Sequence, residues 1–175
     1  MTLTNAPILE SENLILRGPE KEDAEEVISF LLDENRSRGF GSSPDRSDAW
    51  RWFSTNVGHW HWHGYGYFMI ETKLGEVAGM SGIWNPEGWP EPEIGWAVFD
   101  KFEGKSIAFE AACRARHWAY EVLQFKTLTS GIIPGNQRSI NLAKRMGAYF
   151  ERSYKNSFMG EEMLFRHPQP HELKG

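Results

Sequence analysis

The chain has 175 residues and a formal net charge of −5, with 25% charged and 40% hydrophobic residues. These proportions are typical of a soluble globular protein, and the acidic balance argues against nucleic acid as the main partner. No run of about 18 apolar residues occurs, so we expect no membrane partner. The N-terminus lacks the basic segment and apolar core of a signal peptide, and one cysteine, Cys113, suits a reducing cytoplasm. We therefore predict one cytoplasmic domain over residues 1–175, with a frayed tail from about 167.

The first third of the chain predicts a strand, a helix and a polar loop. Residues 14–17 read as a short strand, and apolar residues between 24 and 31 recur at the spacing of one buried helix face. The Gly-rich loop after this helix offers Arg36 and Phe40 as contacts for a ligand. The alternative for either residue is a plain solvated connector.

Asp45 or Ser47 is expected to cap a second helix. Alternating His and Trp residues occupy 59–63, and the three histidines there raise the possibility of a zinc site. Neither a carboxylate or cysteine ligand from elsewhere nor a second shell is visible, so we predict no metal. We read the segment as an aromatic-rich helix end that leads into a strand.

Residues 65–71 and 77–84 are predicted to form a hairpin with Gly at its turn. A rigid connection rich in Pro and Gly leads to the strand at 93–99, where residues alternate between two faces. The chain is organised around this strand and the loop and helix that come after it.

The loop contains Gly104 and joins that strand to a long helix that begins near Ile107. A strand at 127–133, a helix opening at Asn136 and a last hairpin over 148–165 complete the chain. These elements predict an α/β (α+β) fold. We expect a mixed, mostly antiparallel sheet of six or seven strands, flanked by about four helices.

The loop before Ile107 has the features of an anion site made of main chain. The first N–H groups of a helix have no internal partners, and the helix dipole adds positive potential there. Gly104 allows several N–H groups to point into one small space. The segment therefore predicts a phosphate-binding loop.

Residues 103–108 (Glu-Gly-Lys-Ser-Ile-Ala) resemble the Gln/Arg-x-x-Gly-x-Gly/Ala pyrophosphate loop of the GNAT superfamily of acyl-CoA N-acyltransferases. The segment 136–147 is similar to that family's Asn-x-x-Ser-Ile segment. Residues 12–17 and 22–24 resemble the opening of the branch that acetylates ribosomal-protein N-termini. The resemblance covers nearly the whole chain and implies a GNAT-like fold.

The resemblance implies an N-acetyltransferase that uses acetyl-CoA as acyl donor and acts on a primary amine, either a peptide N-terminus or a small molecule. The alternative is a non-catalytic acyl-CoA-binding or sensing domain. The oligomeric state is expected to be a monomer or a homodimer. The residues expected to bind the donor are Ala97, Val98, Phe99, Glu103, Gly104, Lys105, Ser106, Ile107, Ala108, Asn136 and Ser139.

Two residues depart from the family pattern. Glu103 stands where Gln or Arg is usual, and its carboxylate repels a pyrophosphate unless Lys105 or Arg138 offsets it. Ser106 stands where Gly is usual and must adopt the loop dihedral angles that Gly normally takes. Weaker acetyl-CoA binding than the family norm is the expected consequence.

The family mechanism is direct attack of the amine on the thioester. For the general base we favour Glu93, where the resemblance places the family's strand carboxylate and where neighbouring tryptophans would raise its pKa. A surface carboxylate at a strand start is the competing interpretation, and Glu91 is the substitute base. The backbone N–H of Val98 or Phe99 is the expected oxyanion donor.

Asn136 is expected to bind the pantetheine arm or acetyl end of the donor, or to serve as a plain N-cap. Many relatives carry a Tyr general acid seven residues later, where this chain has Ala143, so the acid is unassigned among Ser139, Asn141 and a water. The residues expected to contact the acceptor are Arg36, Phe40, Trp60, Trp84 and Glu91.

Overall fold

The computed structural model describes residues 2–173, in which one eight-stranded sheet is flanked by five α-helices. The strands are β1 (Leu9–Glu10), β2 (Leu14–Arg17), β3 (Tyr67–Thr72), β4 (Val77–Trp84), β5 (Glu93–Val98), β6 (Thr129–Ile132), β7 (Tyr149–Asn156) and β8 (Gly160–Arg166). The helices are α1 (Ala24–Leu32), α2 (Glu34–Ser37), α3 (Arg46–His63), α4 (Ile107–Glu121) and α5 (Gln137–Arg145). Among these described residues, no helix combines the length and apolarity needed to cross a membrane.

The sheet order is β1-β2-β3-β4-β5-β6-β8-β7, and every neighbouring pair is antiparallel except β5 and β6. The predicted mixed, mostly antiparallel sheet is therefore confirmed, with one strand more than the six or seven expected. The additional strand, β1, has two residues and pairs with β2, which is too short a segment for periodicity to reveal.

Local chemistry explains the bounds of α3. The Asp45 side chain accepts a hydrogen bond from the backbone N–H of Asp48, so Asp45 is the cap rather than Ser47. The helix ends at Gly64, whose φ of 77° lies in the left-handed region. His59, near this end, is buried and its two ring nitrogens contact backbone groups: Nδ1 lies 2.6 Å from the Tyr65 carbonyl, and Nε2 accepts from the Asn85 N–H.

Helix α4 packs against the central strands because its inner face is made of small side chains, namely Ala111, Ala112, Ala115 and Ala119, each fully buried. Large rings fill the space beyond them. Trp60 of α3 is 1% exposed and lies edge-to-face with Phe68, which in turn contacts Trp118 of α4. Trp60 is therefore a core residue, and its predicted role in acceptor binding is wrong.

A buried polar network lies beneath β6. Arg116 of α4 is 6% exposed and donates to the Met146 carbonyl, and its Nη1 lies 3.0 Å from His167 Nδ1. His167 Nε2 lies 2.8 Å from Ser130 Oγ, which donates to the Ile94 carbonyl of β5. Fraying does not begin at 167, since His167 is fully buried and its backbone N–H donates to Leu128.

Candidate active site

Two cavities meet at a gap between β5 and β6. The two strands pair only at Glu93 and Thr129, so the sheet opens beyond that point. One cavity, which we call the loop cavity, has a volume of about 390 Å³ and lies beside residues 102–109. The other, the aromatic cavity, has a volume of about 540 Å³. Both are lined by Gly39, Phe40, Trp96, Asn136 and Ser139.

Beyond Glu93, the edge of β5 that faces this gap has no strand partner among the described residues, and its Val98 carbonyl accepts a hydrogen bond from Arg36 Nη2 at 3.4 Å. Phe99 N–H donates to Ala78 of the neighbouring strand β4, and successive residues of a strand direct their N–H groups to opposite sides. The Val98 N–H is therefore directed toward the gap, whereas that of Phe99 is occupied. The Phe99 ring is buried against Phe30, and Phe99, predicted to bind the donor, does not line the loop cavity.

The loop cavity is built around the start of α4. Gly104 has a φ of 74°, and Ser106 is the residue before the helix with a φ of 58°. Ser106 thus adopts the left-handed conformation that glycine takes at no steric cost. Except for Phe99, every residue predicted to bind the donor lines this cavity: Ala97, Val98, Glu103, Gly104, Lys105, Ser106, Ile107, Ala108, Asn136 and Ser139.

Two arginines offset the unusual carboxylate of Glu103. Its Oε1 lies 2.7 Å from Arg36 Nη2 and 3.0 Å from Arg138 Nη1. Arg36 also forms an ion pair with Asp100 at 2.7 Å. Arg36, predicted to contact the acceptor, therefore lines the loop cavity and does not line the aromatic cavity.

We expect Glu103→Gln to tighten binding of coenzyme A about fivefold, which corresponds to roughly 1 kcal/mol. The substitution removes an anion beside the expected pyrophosphate site and frees Arg36 and Arg138 for a new partner. Calorimetric titration with coenzyme A measures the change. Glu34→Gln is the matched control, because Glu34 is exposed and its ion-pair partner within residues 2–173 is the exposed Arg38. Weaker binding by Glu103→Gln would show instead that Glu103 holds the arginines in their binding positions.

Glu93 lies at the base of the aromatic cavity and is held by two donors. Its Oε1 accepts from Trp89 Nε1 at 2.9 Å, and its Oε2 accepts from the Gly131 N–H at 2.8 Å. Burial, together with the nearby Glu162 carboxylate, raises the pKa of Glu93 to about 7, against the opposing effect of the two hydrogen bonds. A carboxyl group of this pKa exchanges protons near neutral pH, as a general base requires.

Glu162 of β8 is a second carboxylate of this cavity, and the sequence interpretation missed it. It is 3% exposed, accepts from the Tyr154 hydroxyl at 2.7 Å, and burial raises its pKa. The sequence could have revealed it, because Glu162 lies two residues before the apolar Leu164 in β8, and residues two apart in a strand lie on the same face. A glutamate on the buried face of a strand is uncommon without a function or a partner.

The base of the cavity also includes Tyr67, another residue missed from the sequence. A Cβ added to Gly95 would lie 2.0 Å from the Tyr67 hydroxyl oxygen, so the phenol occupies the space that a side chain at position 95 would need. Asn56 fixes the Tyr67 backbone by accepting from its N–H and donating to its carbonyl.

The remaining predicted residues separate into two groups. Phe40 and Trp84, two of the residues predicted to contact the acceptor, line the aromatic cavity. Glu91 does not line it and instead forms a two-bond ion pair with Arg166, at 2.7 and 2.9 Å.

Asn136 and Ser139 lie where the two cavities join. Asn136 is the N-cap of α5 and accepts from the Ser139 N–H at 3.4 Å. Ser139 Oγ accepts from Trp96 Nε1 at 3.2 Å, which leaves the Ser139 hydroxyl proton free to be donated elsewhere. Ala143 is fully buried and cannot act as an acid.

Comparisons with known proteins agree with this geometry. The family model described as an acetyltransferase (GNAT) domain matches residues 13–149. YdaF of Bacillus subtilis (strain 168), provisionally named as a ribosomal N-acetyltransferase, is 26% identical over 145 residues, which is 78% of each chain.

Among solved structures, an acetyltransferase from Agrobacterium tumefaciens (str. C58) superposes with a TM-score of 0.86 and 33% identity, covering 93% of this chain and 95% of that one. A spermidine N-acetyltransferase from Vibrio cholerae, solved with CoA and spermine, has a TM-score of 0.75 and 15% identity, covering 93% and 98%. The latter shares the fold.

Proposed function

Because the chain belongs to the GNAT acetyltransferase family, we propose that it transfers an acetyl group from acetyl-CoA directly to the nitrogen of a primary amine. The observation that carries this proposal is the meeting of the two cavities at Trp96, Asn136 and Ser139. One cavity has the main-chain donors that a diphosphate needs, and the other holds a carboxylate suited to accept a proton.

The residues of the loop cavity fit coenzyme A. The N–H groups of residues 104–108 have the loop geometry and the helix start that favour an anion, and the side chains of Lys105 and Arg145 lie beside them. Asn136 and the open edge of β5 would hold the pantetheine arm. When bound, acetyl-CoA supplies an electrophilic thioester carbonyl at the junction of the cavities.

Glu93 and Val98 are assigned the chemical roles. The Glu93 carboxylate accepts the proton that the acceptor's ammonium group must lose before its nitrogen can attack. The Val98 N–H is directed toward the gap and stabilises the negative charge that develops on the carbonyl oxygen. The new bond joins nitrogen to the carbonyl carbon, and the bond from that carbon to sulfur breaks.

Ser139 is the side chain best placed to assist the leaving thiolate. Its hydroxyl lines both cavities, and Trp96 orients the oxygen while leaving the proton available. Asn141 lines only the loop cavity. This assignment accounts for a family member that has Ala143 in place of the usual tyrosine.

A thiol-release assay with acetyl-CoA and a panel of primary amines tests the proposal. We expect release of free coenzyme A to depend on the amine and an acetylated product of matching mass. Calorimetry should show binding of coenzyme A and none of ATP. Tight binding of coenzyme A without turnover of any amine would instead favour an acyl-CoA-binding domain.

A further inference from the structure

The aromatic cavity has two walls of aromatic rings, which come from different segments of the chain. The first wall consists of Phe40, Trp52, Tyr67 and Trp84, whose centroids lie 5.1 to 5.7 Å apart wherever two of these rings are in contact. The second wall consists of Trp89 and Phe158, stacked at 5.6 Å. Rings packed in this way present apolar faces to the cavity.

Negative charge is concentrated at the base of the same cavity. Glu93 and Glu162 both lie close to Gly131: its N–H donates to Glu93, and a Cβ added to it would lie 3.1 Å from both Glu162 oxygens. Because the two carboxylates are close together, they suit a ligand with one ammonium group better than a ligand with two ammonium groups that lie apart. The lining also includes Asp48, Arg51 and Glu87, whose charges partly cancel, so a second ammonium group among the ring carbons would lose its hydration without a dedicated carboxylate pair.

Three chain segments approach one another around the mouth. A Cβ added to Gly41 would lie 3.3 Å from Met159 Sδ, and one added to Gly88 would lie 3.1 Å from Ser157 Oγ. The turn between β7 and β8, which carries Phe158 and Met159, therefore contacts both the loop after α2 and the loop before β5. A peptide in this space would need partners for its own N–H and C=O groups, which ring carbons do not provide.

Given the proposed acetyl transfer, on which this inference rests, we propose that the acceptor is a small primary amine with one compact apolar group, aromatic or branched aliphatic. The ammonium group enters against Glu93 and Glu162, and the apolar group lies between the two walls. Glu93 then takes the proton, so the nitrogen reaches the junction neutral. Protein N-termini and polyamines are poor acceptors for this cavity.

The test compares kcat/KM for four acceptors with acetyl-CoA: 2-phenylethylamine, 3-methylbutylamine, spermidine and a peptide that begins with serine. We expect the first two to exceed spermidine and the peptide by at least tenfold, a modest ratio for a site selecting by apolar burial. A preference for spermidine or for the peptide overturns the inference and leaves acetyl transfer standing.

Binding is measured separately, by calorimetric titration of 2-phenylethylamine into the protein saturated with coenzyme A. Binding without thiol release from any amine supports the assigned ligand class and contradicts acetyl transfer. Absence of binding of 2-phenylethylamine together with absence of turnover of both 2-phenylethylamine and 3-methylbutylamine contradicts the inference, whatever spermidine and the peptide do.

Variants of the walls complete the test. Trp52→Ala should raise KM for 2-phenylethylamine at least tenfold while the affinity for coenzyme A is unchanged. Phe158→Ala should act in the same direction, and it tests the second wall without a folding defect because Phe158 is 76% exposed. Trp62→Ala is the matched control, since Trp62 is on the same helix as Trp52 and is 85% exposed. Unchanged KM in both wall variants overturns the inference.

Discussion

Glu93→Gln is expected to lower kcat roughly 10²- to 10⁴-fold, the range that a positioned general base contributes. The glutamine keeps the shape of the side chain and cannot accept the proton of the ammonium group. Thiol release under saturating acetyl-CoA measures the loss. Because Glu93 does not line the loop cavity, the affinity for coenzyme A should stay within about twofold of the native value.

The pH dependence of the native protein supplies a second signature. Glu93 works as the ionised carboxylate, and its pKa is raised to about 7. The rate should therefore rise with pH, about tenfold per unit below pH 7, and level off above about pH 8. Glu93→Gln should lose this inflection.

Glu91→Gln is the matched control, two residues away on the same segment. Glu91 pairs with Arg166 outside the aromatic cavity, so we expect near-native turnover. If Glu93→Gln stayed active while Glu162→Gln lost turnover, the base would be Glu162 and the assignment of Glu93 would be wrong.

His167→Ala is expected to lower the free energy of unfolding by roughly 3 kcal/mol, as measured by urea denaturation. Arg116 is buried, and among the described residues the hydrogen-bond partners of its side chain are the Met146 carbonyl and the His167 ring. Removing the ring leaves a buried charge short of an acceptor and Ser130 short of a partner. His171→Ala is the control: His171 is exposed on the same tail segment, so its effect should stay below roughly 0.5 kcal/mol.

The same network predicts loss of stability in acid. Burial, together with the positive charge of Arg116, lowers the pKa of His167 to about 3 from its ordinary 6.5. Between about pH 6.5 and pH 3, His167 is therefore protonated in the unfolded chain and neutral in the folded chain. The free energy of unfolding falls as the pH drops through this range. In His167→Ala this part of the slope should disappear. A slope equal to the native one would contradict a neutral, buried His167.

The features that the sequence predicted correctly are local ones. The loop at 103–108 and the cap at Asn136 depend on backbone conformation and on contacts within a few residues, so short motifs carry the information. Ser106 is the clearest case: it stands where the family's loop has Gly, and its φ of 58° is the left-handed conformation that Gly adopts at no steric cost.

The errors arose where distant segments decide the environment. Arg36 and Phe40 were predicted to lie in one loop, yet Arg36 lies in α2 and pairs with Glu103, 67 residues away, while the Phe40 ring after α2 packs against Trp52 and Tyr67. From the local sequence, Trp60 cannot be distinguished from exposed Trp62, because its burial depends on contact with Trp118 of α4. Glu162 escaped notice because its importance depends on which strand lies beside β6, and local periodicity does not specify strand order.

The contact between Tyr67 and Gly95 also limits how the acceptor preference could change during evolution. Any side chain introduced at position 95 meets the phenol, so such a substitution is harmful while Tyr67 is present. A smaller residue at position 67 has no such requirement and can appear first. Descendants of this chain with a reshaped cavity should therefore have acquired the two changes in one order only, with the tyrosine lost before the glycine.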